Sequence, residues 1–189
     1  MMPKALLVVG IHREERAFGE AVASGLDPAL FDVLVIPDGL SGQHPRPDQR
    51  FHYGMLHREL YHQLLPHVAG RYPLLVDLHT GVDEHGLCID LFCQQPDKLQ
   101  GLPAVLDSMA ESELPSAEVR VVHLLKGKAG MAGGLVAETV IPAEIWCNRR
   151  FLYLGVEVFL AARGEGTAQE QGFTRQFLSG LVSSLRIGA

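Results

Sequence analysis

Ala5 to Gly10 reads ALLVVG, and Pro73 to His79 reads PLLVDLH. The first is a continuous apolar run ending in glycine, and the second is a strand-length run, Pro73 to Leu78, apolar but for Asp77 and ending at His79. Such runs suit strands buried on both faces of a parallel sheet. Working outward, Phe31 to Ile36 (FDVLVI), Leu87 to Cys93 (LCIDLFC), Glu118 to Leu125 and Leu135 to Ile141 (LVAETVI) read as further strands. Glu14 to Ser24 shows helical spacing, with Ala17, Phe18, Ala21 and Val22 on one face. Tyr53 to Val68 is a second helix, with apolar positions at Met55, Leu56, Leu60, Leu64 and Leu65. Leu99 to Ala110, Phe151 to Arg163 and Gln169 to Leu185 also read as helices. Strands alternating with helices argue an α/β fold with a mainly parallel sheet.

The chain has 189 residues, which fits a single domain spanning residues 1–189. With 47% hydrophobic and 20% charged residues it has an ordinary globular mix. Lys and Arg number 16 against 22 Asp and Glu, a formal charge of −6. That balance lacks the positive field of a nucleic-acid binder. Three cysteines without a CxxC pair, Cys88, Cys93 and Cys147, read as free thiols in a reducing compartment. The N-terminus lacks the length and cleavage site of a signal peptide, and no run reaches the ~20 apolar residues of a membrane span. The expectation is a cytoplasmic protein with no membrane or nucleic-acid partner. Its oligomeric state is left open.

Ligands in open α/β sheets bind beyond the carboxyl ends of the strands. His12 follows the first apolar run, with Glu15 three positions on. His79 follows the third, preceded by Asp77, and Glu138 lies near the end of LVAETVI. Two imidazoles and a carboxylate suit Zn²⁺, which takes three protein ligands in catalytic sites and leaves one position open. A further carboxylate serves as general base, and Asp77 is placed to orient a ligand histidine. Each residue also has a plainer reading. His12 and Glu15 fit a solvated first helical turn, and His79 fits a satisfied core histidine. Glu144 competes with Glu138 as the base.

The segments GIHREE (Gly10 to Glu15), VDLHTG (Val76 to Gly81) and LVAETV (Leu135 to Val140) resemble, in order, the motifs of zinc carboxypeptidase-like hydrolases. The similarity is to the succinylglutamate desuccinylase/aspartoacylase branch. It implies a three-layer fold, with a mainly parallel or mixed central sheet and helices on both faces. It implies one Zn²⁺ per chain held by His12, Glu15 and His79, with Glu138 as general base. DQRF (Asp48 to Phe51) is similar to the family's D-x-N-R motif, one residue shorter, and makes Arg50 the substrate clamp. Arg13 stands where the family has glycine and is a second candidate for substrate contact. The chain is shorter than most relatives and is expected to lack the C-terminal β-domain of the aspartoacylases. The implied activity is metal-assisted hydrolysis of an amide in a small carboxylate-bearing substrate, an N-acyl amino acid or short peptide. A non-catalytic metal- or ligand-binding protein on the same scaffold is the other reading.

His52, His57, His62 and His67 recur at intervals of five. At ~100° per residue each turns about 140° from the last, so they read as surface or boundary positions. His44, His85 and His123 carry no assignment, although His85 lies close enough to His79 in sequence to line a pocket. Gly127 to Gly134 (GKAGMAGG) lacks the ending of a phosphate loop and reads as a flap before the Glu138 strand. The cysteines read as small buried hydrophobes.

Overall fold

Among the described residues, seven strands pair into one mixed sheet, because each brings an apolar side to a core on at least one face. They are β1 (Ala5–Val9), β2 (Phe31–Val35), β3 (Leu74–Val82), β4 (Cys88–Cys93), β5 (Glu118–Leu124), β6 (Leu135–Ala137) and β7 (Leu152–Leu160). Among the described residues, five α-helices flank them: α1 (Arg16–Ala23), α2 (Arg50–Val68), α3 (Leu102–Ala110), α4 (Ala143–Trp146) and α5 (Ala168–Ser184). A computed structural model describes residues 4–41, 45–83, 86–111, 117–126 and 134–185.

The strand order is β2-β1-β3-β7-β4-β5-β6. Strands β2, β1, β3 and β7 run parallel to one another. Strands β4, β5 and β6 are parallel among themselves, and β4 meets β7 antiparallel. The expected mixed α/β architecture is therefore present.

Alternate residues of each strand feed two cores. On one face Leu7, Val76, Leu91 and Val156 pack against Phe18 of α1, Met109 of α3 and Phe177 of α5. On the other, Leu6, Val8, Leu75 and Tyr153 pack against Tyr61 and Leu64 of α2 and Trp146 of α4. Helix α5 starts where it does because Thr167 accepts from Glu170 N at 3.2 Å while Glu170 accepts from Thr167 N at 2.6 Å. That reciprocal pair satisfies two otherwise orphaned amides.

The expected helix at Phe151–Arg163 is instead β7, the central strand. Its sequence, LYLGVEVFL, is an apolar run rich in β-branched and aromatic residues. Such runs fit a strand buried on both faces, and periodicity alone does not separate them from a helix. Strand β6 is shorter than expected and stops before Glu138. Strand β3 is longer and runs three residues past His79. Helix α2 turns His57, Tyr61, Leu64 and Val68 inward, while Met55 and Leu56 are exposed. These four share one helical face at i, i+4, i+7 and i+11.

Candidate metal centre and active site

The chain leaves β1 through Gly10, whose φ of +85° favours glycine. A Cβ there would also meet Ile36 O at 2.7 Å. The next residues are tied to the loop after β2: Leu40 N donates to Ile11 O at 2.9 Å and Arg13 N donates to Leu40 O at 2.8 Å. This ladder fixes His12. Glu15 follows as the residue that opens α1. His79 comes from inside β3, on the face that also carries Leu75 and Asp77. The site thus lies on a sheet face and is not confined to strand ends as the sequence suggested.

His12, Glu15 and His79 each offer one donor atom, and these atoms all lie within 4.8 Å of one another. The imidazoles of His12 and His79 are 5.3 Å apart between centroids. His79 Nδ1 lies 2.9 Å from Glu15 Oε2, and His79 Nε2 lies 3.1 Å from Asp77 Oδ1. Asp77 is fully buried, and its Oδ2 accepts from Tyr61 Oη at 2.7 Å and Tyr153 Oη at 2.9 Å. Burial pushes the Asp77 carboxyl up, but the His79 charge and three hydrogen bonds outweigh it and hold the group low. Burial likewise opposes a charged His79, yet Asp77 and Glu15 together keep its affinity for a proton well above the usual. His12 is shifted the other way, because desolvation outweighs its acidic neighbours.

The donor set fits a divalent cation. His12 Nδ1 is buried and has no hydrogen-bond partner, a costly state for a polar atom that metal ligation relieves. Glu15 and Asp77 flank opposite nitrogens of His79. That is the carboxylate–imidazole arrangement that fixes a ligand's tautomer.

A cavity of about 240 Å³ opens over this group. Three residues on its lining change the sequence picture. His57 is buried, stacks on His12 at 6.1 Å between centroids, and is pushed down to about 4 by desolvation and by His12. Its shared face with Tyr61, Leu64 and Val68 was the signal available in sequence. Glu157 stands directly opposite His79 across the β3–β7 ladder and lines the cavity. Burial raises its carboxyl, and Glu15 and Asp90 add to the rise. Reading Phe151–Arg163 as a helix concealed it. The signal was one glutamate in the middle of a nine-residue apolar strand. Glu138 also lines the cavity, from the segment just beyond β6, with an exposed side chain.

Glu144 opens α4 outside the cavity, 3.9 Å from His62. The side chains of Arg13 and Arg50 are exposed, and neither is among the residues lining the cavity. Arg50 begins α2, directly after a 3-10 turn at Pro47–Gln49. Of the four spaced histidines, only His57 enters the cavity. His44, His85 and residues 127–133 of the expected flap lie outside the described residues. Cys88 and Cys93 are buried free thiols, and Cys147 is half-buried.

Neither a protein-family model nor a curated protein sequence matches the chain. Solved structures match its fold. A variant of murine aminoacylase 3 gives a TM-score of 0.52 at 14% identity, over 97% of this chain and 64% of its own. A candidate metallopeptidase from Shewanella denitrificans gives 0.51 at 17% identity, over 97% of this chain and 75% of its own. The chain has the aminoacylase and carboxypeptidase-like fold. It spans less than two-thirds of the aminoacylase 3 structures, 64% of the variant and 65% of the unmodified enzyme, which matches at a TM-score of 0.49. In this sheet His79 sits on β3, His12 and Glu15 follow the end of β1, and Glu157 lies on β7 between β3 and β4. Among the described residues no helix is long and apolar enough to cross a membrane.

Proposed function

We propose that the chain is a zinc-dependent hydrolase, one catalytic domain with one Zn²⁺ held by His12, Glu15 and His79. Its substrate is a small carboxylate-bearing amide, an N-acyl amino acid or short peptide. One observation carries this reading: three donor atoms of metal-ligand type converge beside a half-buried glutamate in an open cavity. Aminoacylase and metallopeptidase are also the activities named for two proteins of the same fold.

When bound, Zn²⁺ supplies a positive charge that polarises a carbonyl and acidifies water. The rest is the work of this chain's residues. Asp77, held by Tyr61 and Tyr153, keeps His79 Nδ1 facing Glu15. Glu157 takes the proton of the attacking water and returns it to the leaving nitrogen. Its raised proton affinity suits a group that must both accept and release a proton near neutral pH. We assign this role to Glu157 over Glu138, whose exposed side chain lacks the same enclosure. Arg13 and Arg50 are assigned to meet the substrate carboxylate from outside the cavity.

The test pairs elemental analysis with a release assay for free amine. Wild type carries about one zinc per chain after reconstitution. Glu157→Gln keeps the zinc and loses turnover by about a hundred- to ten-thousand-fold, whereas Glu138→Gln keeps both. The reverse pattern moves the base to Glu138. A protein that binds no zinc overturns the reading.

A further inference from the structure

The cavity has two chemically different ends. Its polar end, over β1, β3 and β7, holds the histidines and Glu157. Its other end lies over β4, β5 and the segment after β6, and there Phe92, Leu124, Val140 and Ile141 line it, with Glu138 and Thr139 beside them at the start of that segment. Phe92 and Gly155 face each other across the β4–β7 ladder. A Cβ on Gly155 would stand 3.3 Å from Phe92 Cβ and 3.1 Å from Tyr153 Oη. Glycine therefore keeps this passage between the two ends open. Val140 is 80% exposed at the cavity, a large apolar contact with water that a ligand would relieve.

The charges in the cavity point the same way. Among the described residues lining it there is no arginine or lysine, and its charged acids are Glu15, Glu138 and Glu157. A second carboxylate on the substrate would meet those acids, and like charges brought together repel. An aliphatic or aromatic group would instead cover Phe92, Leu124, Val140 and Ile141.

We infer that the group flanking the scissile amide is apolar, so that the substrate is an N-acyl amino acid or peptide with an aliphatic or aromatic side chain and no acidic one. This inference rests on the substrate cavity proposed above and adds to it the side-chain class.

Titration calorimetry on zinc-loaded Glu157→Gln protein tests it with N-acetyl-L-phenylalanine, N-acetyl-L-aspartate and N-acetyl-L-lysine. The phenylalanine derivative is expected to bind about tenfold tighter than either charged one, as burial of one large apolar side chain gives. Val140→Asp, at an exposed position, is expected to remove most of that preference. Tighter binding of the aspartate or lysine derivative overturns the inference, as does no binding at all or an unchanged preference in Val140→Asp. Hydrolysis by wild type is followed in parallel. An apolar binding preference without any hydrolysis removes the proposed activity and leaves this inference standing. Hydrolysis with an acidic preference does the opposite.

Discussion

The two faces of the sheet are built from the same strands, one residue apart. In β3, Leu74, Val76 and Leu78 enter the core beneath α1, α3 and α5. Their neighbours Leu75, Asp77 and His79 look toward α2. In β7, Leu154, Val156 and Val158 go one way, and Tyr153, Gly155 and Glu157 go the other. The first face is a closed apolar layer. The second begins as an apolar layer under α2 and α4 and turns polar beyond them. At one level His79, Glu157, Asp90 and Arg120 form a row across four strands, with Arg120 Nε donating to Asp90 Oδ1 at 2.6 Å. A strand's period of two lets stability and chemistry be placed independently on the two faces.

Adjacent substitutions break this comparison most sharply. His79→Ala is expected to reduce zinc from about one per chain to almost none, by elemental analysis, with a folded protein by circular dichroism. Leu78→Ala is expected to cost about 2–5 kcal/mol in denaturant unfolding and to leave zinc per folded chain unchanged. If both variants lose zinc and stability together, the faces are not independent.

A smaller effect sharpens it. Tyr153→Phe removes one of the two hydroxyls on Asp77. Zinc affinity, measured by competition with a chelator, is expected to fall about tenfold, as is usual when a partner behind the ligand is lost. Thr174→Val on the other face removes a buried hydroxyl that donates to Glu170 O at 2.8 Å. It is expected to change the melting temperature only.

The smallest effect is the pH dependence that His57 contributes from the polar face. His57 titrates at about 4 in the folded chain against 6.5 when free. Between these values the unfolded state binds the extra proton, so stability is lost as pH falls from about 6.5 toward 4. Thermal unfolding across that window is expected to show a shallower acid slope in His57→Leu than in wild type. Equal slopes would mean His57 is not held neutral.

Much of this site was legible in the sequence, because its parts are local. Gly10 to Glu15 places two donors within one turn after a strand, and Asp77 and His79 must share a strand face at spacing two. The α/β class followed from the apolar runs, while the antiparallel junction of β4 with β7 that makes the sheet mixed did not. Glu157 was hidden because a short apolar run has no period of its own, and only pairing with β3 and β4 identifies it as a strand. His57 was hidden because the apolar residues Met55, Leu56 and Leu60 suggested another face for α2. Packing selected the face with Tyr61, Leu64 and Val68 instead. The assigned carboxylate clamp at Arg50 depended on a loop whose path no local pattern specifies.

The strand order carries a consequence for synthesis. Strand β7 is the last of the described strands to leave the ribosome, yet it occupies the centre of the sheet, between β3 and β4. Until it arrives, two half-sheets, β2-β1-β3 and β4-β5-β6, each present an inner edge with unpaired amides and carbonyls, a hazard for wrong pairing. The segment that joins the halves also carries Glu157. A nascent chain cut before Leu152 therefore has its metal-ligand motifs but neither a continuous sheet nor the half-buried acid beside them, so the completed site appears only when the sheet closes.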